Sequence, residues 1–246
     1  SFRYLDDNFI ESDAVKIGKT FMDYLKKTKD PRIHVYCSLK DGNTEFDKQF
    51  GLPNGYDSHT IADAPSGSFV GLENTSNFNI NTILRLDAPT IFLMPSETKL
   101  LLAEAVLRNW TNGNAEVLYK EAITSSMKEQ EIAYGTQGKI TDEEIETYLA
   151  QNLFSTANNT EKLQIIGEQY WVATFINGYE SYANWRRTGY PKLIPTNYSG
   201  SMSPGVIPTR LPYPTDEYSI NRANVDTANQ QQGADKVTTH IWWDID

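Results

Sequence analysis

Residues 95–129, PSETKLLLAEAVLRNWTNGNAEVLYKEAITSSMKE, decide the architecture. Pro95-Ser96 opens a helix that the pattern carries to about Trp110, with Leu101, Leu102, Ala105 and Val106 apolar. Thr111-Asn112-Gly113-Asn114 is a tight turn with a capping residue at its end. A second helix is expected from Ala115 to about Glu129, with Leu118, Ala122 and Ile123 facing inward. Two helices joined by so short a turn lie antiparallel, as an αα-hairpin.

The hairpin spans about 34 residues, the size of a tetratricopeptide unit. Ala103-Glu104-Ala105 supplies small residues for a close helix contact. A single copy leaves a repeat and a plain helix pair equally open. Outward from the hairpin, residues 12–28 are expected to form a helix, with Ser12 as cap and Ile17, Phe21 and Leu25 on one face. Asp30-Pro31 stops it, because the residue before proline avoids the helical region. Ile33 to Tyr36 reads as a short strand. Thr141 with Glu144 forms a capping box for a helix to about Leu153. Thr160-Glu161 begins a longer helix expected to reach Arg187, terminated by Gly189 with Pro191 beyond. Residues 191–214 hold too many prolines for helix or central strand. Thr215 is expected to cap a final helix toward Gln230, and Ile241-Trp242-Trp243 to pack on the body. The fold class is therefore mainly α, with long irregular loops and no break in composition that marks a second domain.

The chain carries 22 Lys and Arg against 32 Asp and Glu, a net charge of −10. That balance argues against nucleic acid, whose binding rests on neutralising phosphates. One cysteine, Cys37, excludes an internal disulfide framework and a cysteine-based zinc cluster. Beside His34 it reads as a buried, inert thiol. No apolar run is long enough to span a membrane as a helix. The opening Ser1-Phe2-Arg3 reads as that of a mature or truncated piece. There is no G-x-S-x-G, Gly-rich phosphate loop, H-E-x-x-H or G-x-G-x-x-G, so no catalytic residue and no cofactor is assigned. Asp41-Gly42-Asn43-Thr44-Glu45 reads as a polar turn, since its glycine is misplaced for a calcium loop. The sequons at Asn74, Asn109, Asn158 and Asn197 occur at chance frequency. Arg186 and Arg187 sit where cations oppose the negative end of a helix dipole. Trp171, Phe175, Tyr179 and Tyr182 form a helical aromatic stripe, read as core.

The segment from Asp41 to Asn81 differs from the rest. It is rich in Gly, Pro and Asn, and its scattered aromatics argue for an ordered functional loop over a disordered one. Asn54, Tyr56, Asp57 and His59 lie close together in it, with Phe69 and Phe78 further on. A planar ring stacks on a sugar face or peptide side chain, while amide, carboxylate and imidazole groups direct hydrogen bonds. Asn54, Tyr56, His59, Phe69 and Phe78 are the candidate ligand-binding residues.

Several segments together resemble one family. Asp30-Pro31-Arg32-Ile33 with Gly51-Leu52-Pro53-Asn54-Gly55, the Ala103-Glu104-Ala105 run, Gly178-Tyr179-Glu180, WRRTGYP at 185–191 and IPTRLPYP at 207–214, with Glu217 and Asn221, are similar to the SusD/RagB-like nutrient-binding outer-membrane lipoproteins. The resemblance runs from about residue 12 to 243. It implies that residues 1–246 are the C-terminal portion of a single SusD-like domain, built from tetratricopeptide-type helix pairs. It also implies a non-catalytic cell-surface protein held to the outer membrane by an N-terminal lipid anchor absent from this chain. Such a protein captures oligosaccharide or peptide for a TonB-dependent, SusC-like transporter. A surface glycoside hydrolase and a helical scaffold that binds only protein are the competing readings.

Overall fold

The computed structural model describes residues 15–56, 59–154, 156–198 and 200–244. They fall into two compact units, one ending at Lys192 and one beginning at Leu193. The first is mainly helical, as the sequence leads one to expect, and the second carries two short helices among irregular segments.

In the first unit, α1 spans Lys19–Thr28, α2 is the single turn Ile33–Tyr36, and β1 is Cys37–Ser38. β2 (Asn77–Phe78) pairs antiparallel with β1, Cys37 opposite Phe78. Then come α3 (Pro95–Leu107), α4 (Ala115–Tyr134), α5 (Asp142–Gln151), α6 (Asn159–Ala173) and α7 (Gly178–Thr188). The α3–α4 hairpin forms as read, with the Asn114 side chain accepting from the backbone N–H groups of Glu116 and Val117. α4 continues past Glu129 to Tyr134. Leu100 and Ala103 of α3 meet Tyr119, Ile123 and Met127 of α4 in the core, joined by Leu25, Val35, Tyr148, Ile166 and Val172.

Three expectations need correction here. The first helix begins at Lys19, since Lys16 and Gly18 make bridges to Asn77 and Leu52 that hold residues 16–18 extended. Ser12, its expected cap, lies outside the described residues. Ile33–Tyr36 is a helical turn, closed by Tyr36 N–H donating to the Arg32 carbonyl at 2.9 Å. A four-residue apolar run carries no periodicity to separate helix from strand. The long helix expected over residues 160–187 is two helices. Asn158, with Glu161, caps α6 in place of Thr160, and the chain breaks at Thr174–Asn177 before Asn177 caps α7. Gly189 ends α7 in the left-handed conformation, φ 68°, as read. The Thr141–Glu144 capping box also forms.

Two buried polar assemblies tie the unit together. Asp30 and Arg32 are fully buried and form a two-pronged ion pair, with Arg32 Nε donating to Asp30 Oδ1 at 2.9 Å. Arg32 also donates to Ser126 Oγ on α4 at 2.9 Å and to Gln169 Oε1 on α6 at 2.7 Å. Gln169 passes the chain on to the hydroxyls of Tyr148 and Tyr24. In the second assembly, Glu104 on α3 accepts from both terminal nitrogens of Arg187 on α7, at 2.7 and 2.6 Å, and from Arg108 Nε at 2.7 Å. The structural reading of Arg187 therefore holds, with a carboxylate partner in addition to the helix dipole.

The second unit contains α8 (Thr215–Ile220) and α9 (Arg222–Gln232). The single final helix is thus interrupted at Asn221, and Thr215 is the first helical residue after an N-cap at Pro214. Asp235 is the hub here. It accepts from Arg210 Nη2 (2.8 Å), the Tyr213 backbone N–H and the Tyr218 hydroxyl (2.6 Å). The tail anchors through Val237, whose carbonyl accepts from the Thr209 N–H at 2.8 Å. Trp242 and Trp243 are exposed, against expectation, because the segment buries Val237 in their stead.

Candidate ligand-binding surface

Leaving aside residues 57 and 58, the 41–81 segment is held by a few short turns and a dense set of anchors. Three 3₁₀ turns lie at Phe46–Lys48, Ile61–Asp63 and Leu72–Asn74. Gln49 is fully buried. Its amide donates to the carbonyls of Asn43 and Glu45, and its oxygen accepts from Ser76 Oγ at 2.8 Å. Ser76 in turn accepts from the Phe50 N–H and donates its own N–H to the Phe50 carbonyl. Asp41 and Asn43 side chains each accept a backbone N–H two residues on, which makes residues 41–45 a polar turn. Among the described residues, no group of three or more His, Cys, Asp or Glu side chains is placed to hold a metal ion.

The stretch from Gly51 to Gly55 lies along the start of α1. Leu52 N–H donates to the Ile17 carbonyl and Lys19 N–H to the Leu52 carbonyl, both at 2.7 Å. This approach requires glycine at 51, where a Cβ would fall 2.4 Å from the Lys19 Cα. Gly51→Ala should therefore push the loop off α1 and cost about 1–3 kcal/mol, as overpacking at a rigid backbone contact does. A urea melt checks it, and an unchanged midpoint would show that the contact is slack.

The candidate residues fall in two environments. Asn54 is exposed beside α1, its amide donating to Thr20 Oγ1 at 3.4 Å and its oxygen lying over Gly18. Tyr56 is half-buried and His59 exposed on the same loop, while Asp57 lies outside the described residues. Phe69 is half-buried further along. Phe78 belongs to the edge of the core. Its ring stacks on Phe175 at 5.2 Å, and Phe175 stacks in turn on Phe21 (4.4 Å) and Tyr36 (4.8 Å).

The break before α7 is what aims Phe175 into that cluster. The aromatic stripe consequently divides. Trp171 and Phe175 pack on the core, whereas Tyr179 is 91% exposed and Tyr182 39% exposed, contrary to the core reading of all four. Tyr182 and Trp185 rings lie 6.1 Å apart and nearly parallel, with the Arg186 guanidinium against Tyr182. Asn177-Gly178 followed by Glu180 is a cap signal that locates the break, and with it this second group of outward rings.

Two titratable groups elsewhere in the unit, Cys37 and Glu97, are shifted by burial. Burial raises the Cys37 thiol far above its ordinary range, and His34 donates to the Lys139 carbonyl at 3.3 Å. A thiol so held is not a nucleophile. The Glu97 carboxyl is raised by burial, which the Met94 N–H opposes and Glu180 and Glu129 reinforce. It serves to cap α3, accepting from Met94 N–H at 2.9 Å. No described helix is long and apolar enough to cross a membrane.

These features define a helical-hairpin protein that holds an aromatic, amide-bearing loop on a rigid frame. Residues 6–214 match the family model described as "Starch-binding associating with outer membrane", and the chain belongs to this SusD-like family. Among solved structures it is similar to a chitin-binding protein, at 30% identity and a TM-score of 0.72, over 93% of this chain and 50% of that one. A SusD homologue from Bacteroides fragilis matches at 26% identity and a TM-score of 0.73, over 94% and 52%. A chitin-binding SusD homologue from Flavobacterium johnsoniae matches at 25% and 0.70, over 94% and 50%. The chain thus spans about half the length of these proteins. Comparison with curated proteins finds no match.

Proposed function

We propose that this chain is the C-terminal portion of a single SusD-like domain that binds oligosaccharide at the outer membrane and passes it to a TonB-dependent, SusC-like transporter. The observation that supports this most is the 30% identity to a chitin-binding protein over 93% of the chain, on the same fold. The binding surface in this reading is the loop beside α1. Tyr56 offers a ring face to a pyranose, and Asn54 and His59 direct hydrogen bonds to its hydroxyls. Phe69 extends the apolar floor. Phe78 acts from behind, holding β2 and the loop on the aromatic cluster. Binding is non-covalent and no bond is broken. Attachment to the membrane in this reading is through a lipid anchor.

Replacing Tyr56 and His59 together by alanine should weaken oligosaccharide binding about tenfold or more, the loss of one well-packed contact. The thermal midpoint should stay within a degree or two, since neither side chain is part of the core. Calorimetric titration with chitin and starch oligosaccharides reads the first, and a melt reads the second. Unchanged affinity would remove the loop from the site. Hydrolysis of the sugar during the titration would favour a glycoside hydrolase instead.

A further inference from the structure

At the break between α6 and α7, a narrow cleft lies against the end of α4 and the segment that enters α3. Its walls include the rings of Tyr36, Tyr134 and Phe175 and the side chains of Ile91, Met94 and Ile176. One charged group stands among them, the carboxylate of Glu97, and no Lys or Arg lines the cleft. Glu97 is only 3% exposed. Its Oε1 accepts from the Met94 N–H at 2.9 Å, whereas Oε2 is enclosed and has no hydrogen-bond partner. Buried polar atoms are nearly always hydrogen-bonded, so this oxygen calls for a donor. The free space in the cleft is about that of one water-sized group.

The surroundings select a positive donor. Glu129 and Glu180 both add negative potential at Glu97. Glu129 is itself buried and takes its hydrogen bonds from Ser96 and Ser125. The Tyr170 hydroxyl stands near both Glu97 and Glu180, but it has one proton, which it donates to Glu180 Oε2 at 3.5 Å. Arg187, the cation that acts on Tyr170, is committed to Glu104 and Asn184. The described residues bring no three-ligand set of His, Cys, Asp or Glu together, which favours a cation with its own donors over a metal ion.

We propose that this cleft is a binding site for the ammonium group of a lysine side chain on a partner polypeptide. An ammonium is about the size of the space available, brings three donors to a carboxylate oxygen that has none, and is attracted by aromatic rings. The slender methylene stem of lysine suits narrow apolar walls. Phe92 and Leu93, between the wall residues Ile91 and Met94, are 83% and 68% exposed and supply apolar surface for the residues beside the lysine. The site is separate from the loop beside α1 and does not depend on the binding of sugar there.

A titration of the full gene-encoded polypeptide with Nα-acetyl-lysine N-methylamide tests it, read by the methyl resonances of Ile91, Met94 and Ile176. Saturable shifts at these methyls are expected, with a dissociation constant of about 1–10 mM, as befits a ligand of so few atoms. The norleucine analogue has the same stem without the ammonium and should bind at least about tenfold more weakly, the loss of a charged hydrogen bond. Glu97→Gln should weaken the lysine derivative by a similar factor, while its amide oxygen still accepts from the Met94 N–H. A melt shows whether that variant is folded. Ala173→Leu, which fills the cleft and leaves the α3 cap intact, should also abolish the shifts and serves if Glu97→Gln does not fold. Equal binding of the norleucine analogue overturns the proposal, as does unchanged binding by a folded variant. Absence of any saturable shift overturns it too, and leaves water as the partner of Glu97. Tighter binding of glucosamine than of the lysine derivative would overturn the assignment to lysine.

Discussion

Arg32→Met should destabilise the protein by about 3–5 kcal/mol, the penalty for removing one partner of a buried ion pair and leaving the other unpaired. Total stabilities of single domains are only about 5–15 kcal/mol, so this one change should leave much of the protein unfolded near body temperature. The reason is specific. Burial opposes the charge of Arg32, but the Asp30 carboxylate alongside more than offsets it and keeps the guanidinium charged. Without Arg32, Asp30 remains fully enclosed, and Ser126 and Gln169 lose their donor. The contacts join the segment after α1 to α4 and α6, and through Gln169 to Tyr148 on α5, so the loss spreads over three helices. Denaturant unfolding measures it. The double variant Asp30→Asn/Arg32→Met should recover part of the loss, because the stranded charge is gone. A single-variant cost under about 1 kcal/mol would mean that the network contributes little.

The second large effect belongs to Glu104. Burial works to raise its carboxyl, but the hydrogen bonds from Arg187 and Arg108 outweigh that and hold it below the ordinary glutamate range. A carboxyl with a depressed folded pKa contributes stability that is complete above its unfolded pKa. That contribution fades as pH falls through the folded value. Glu104→Gln should therefore cost about 1–2 kcal/mol at neutral pH, the low end for charged hydrogen bonds, because solvent screens the exposed part of Arg187. The gap between wild type and variant should narrow below about pH 4. Denaturation series at neutral and acid pH check both statements. A gap independent of pH would show that lost packing, and not the charge, is responsible.

Elements specified by a few adjacent residues were legible from sequence. The Asn114 cap, the Thr141–Glu144 box and the Gly189 terminator each act within one turn, so the hairpin, α5 and the end of α7 fall where expected. What failed depended on contacts between distant segments. Residues 16–18 are extended because Leu52 and Asn77 pair with them, which no local pattern records. Phe175 lies in the break between α6 and α7, and its ring partners Phe21, Tyr36 and Phe78 come from distant segments. Once it does so, Tyr179 and Tyr182 change sides.

The candidate loop shows the same division. Its composition marks it as a loop distinct from the helices around it, and Asn54 and His59 are exposed on it. Phe78 could not be placed from sequence, because its partners lie some 40 to 100 residues away along the chain. Gln49, which holds the loop's two ends together, carries no motif at all. A buried glutamine is recognisable only once the backbone groups it satisfies are in position.

The most direct test of the account is a calorimetric titration of the full gene-encoded polypeptide, and of this chain beside it, with chitin and starch oligosaccharides. The account predicts saturable binding of at least one of them, without hydrolysis, by both proteins. Saturable binding by neither, in samples whose melts show them folded, would contradict it.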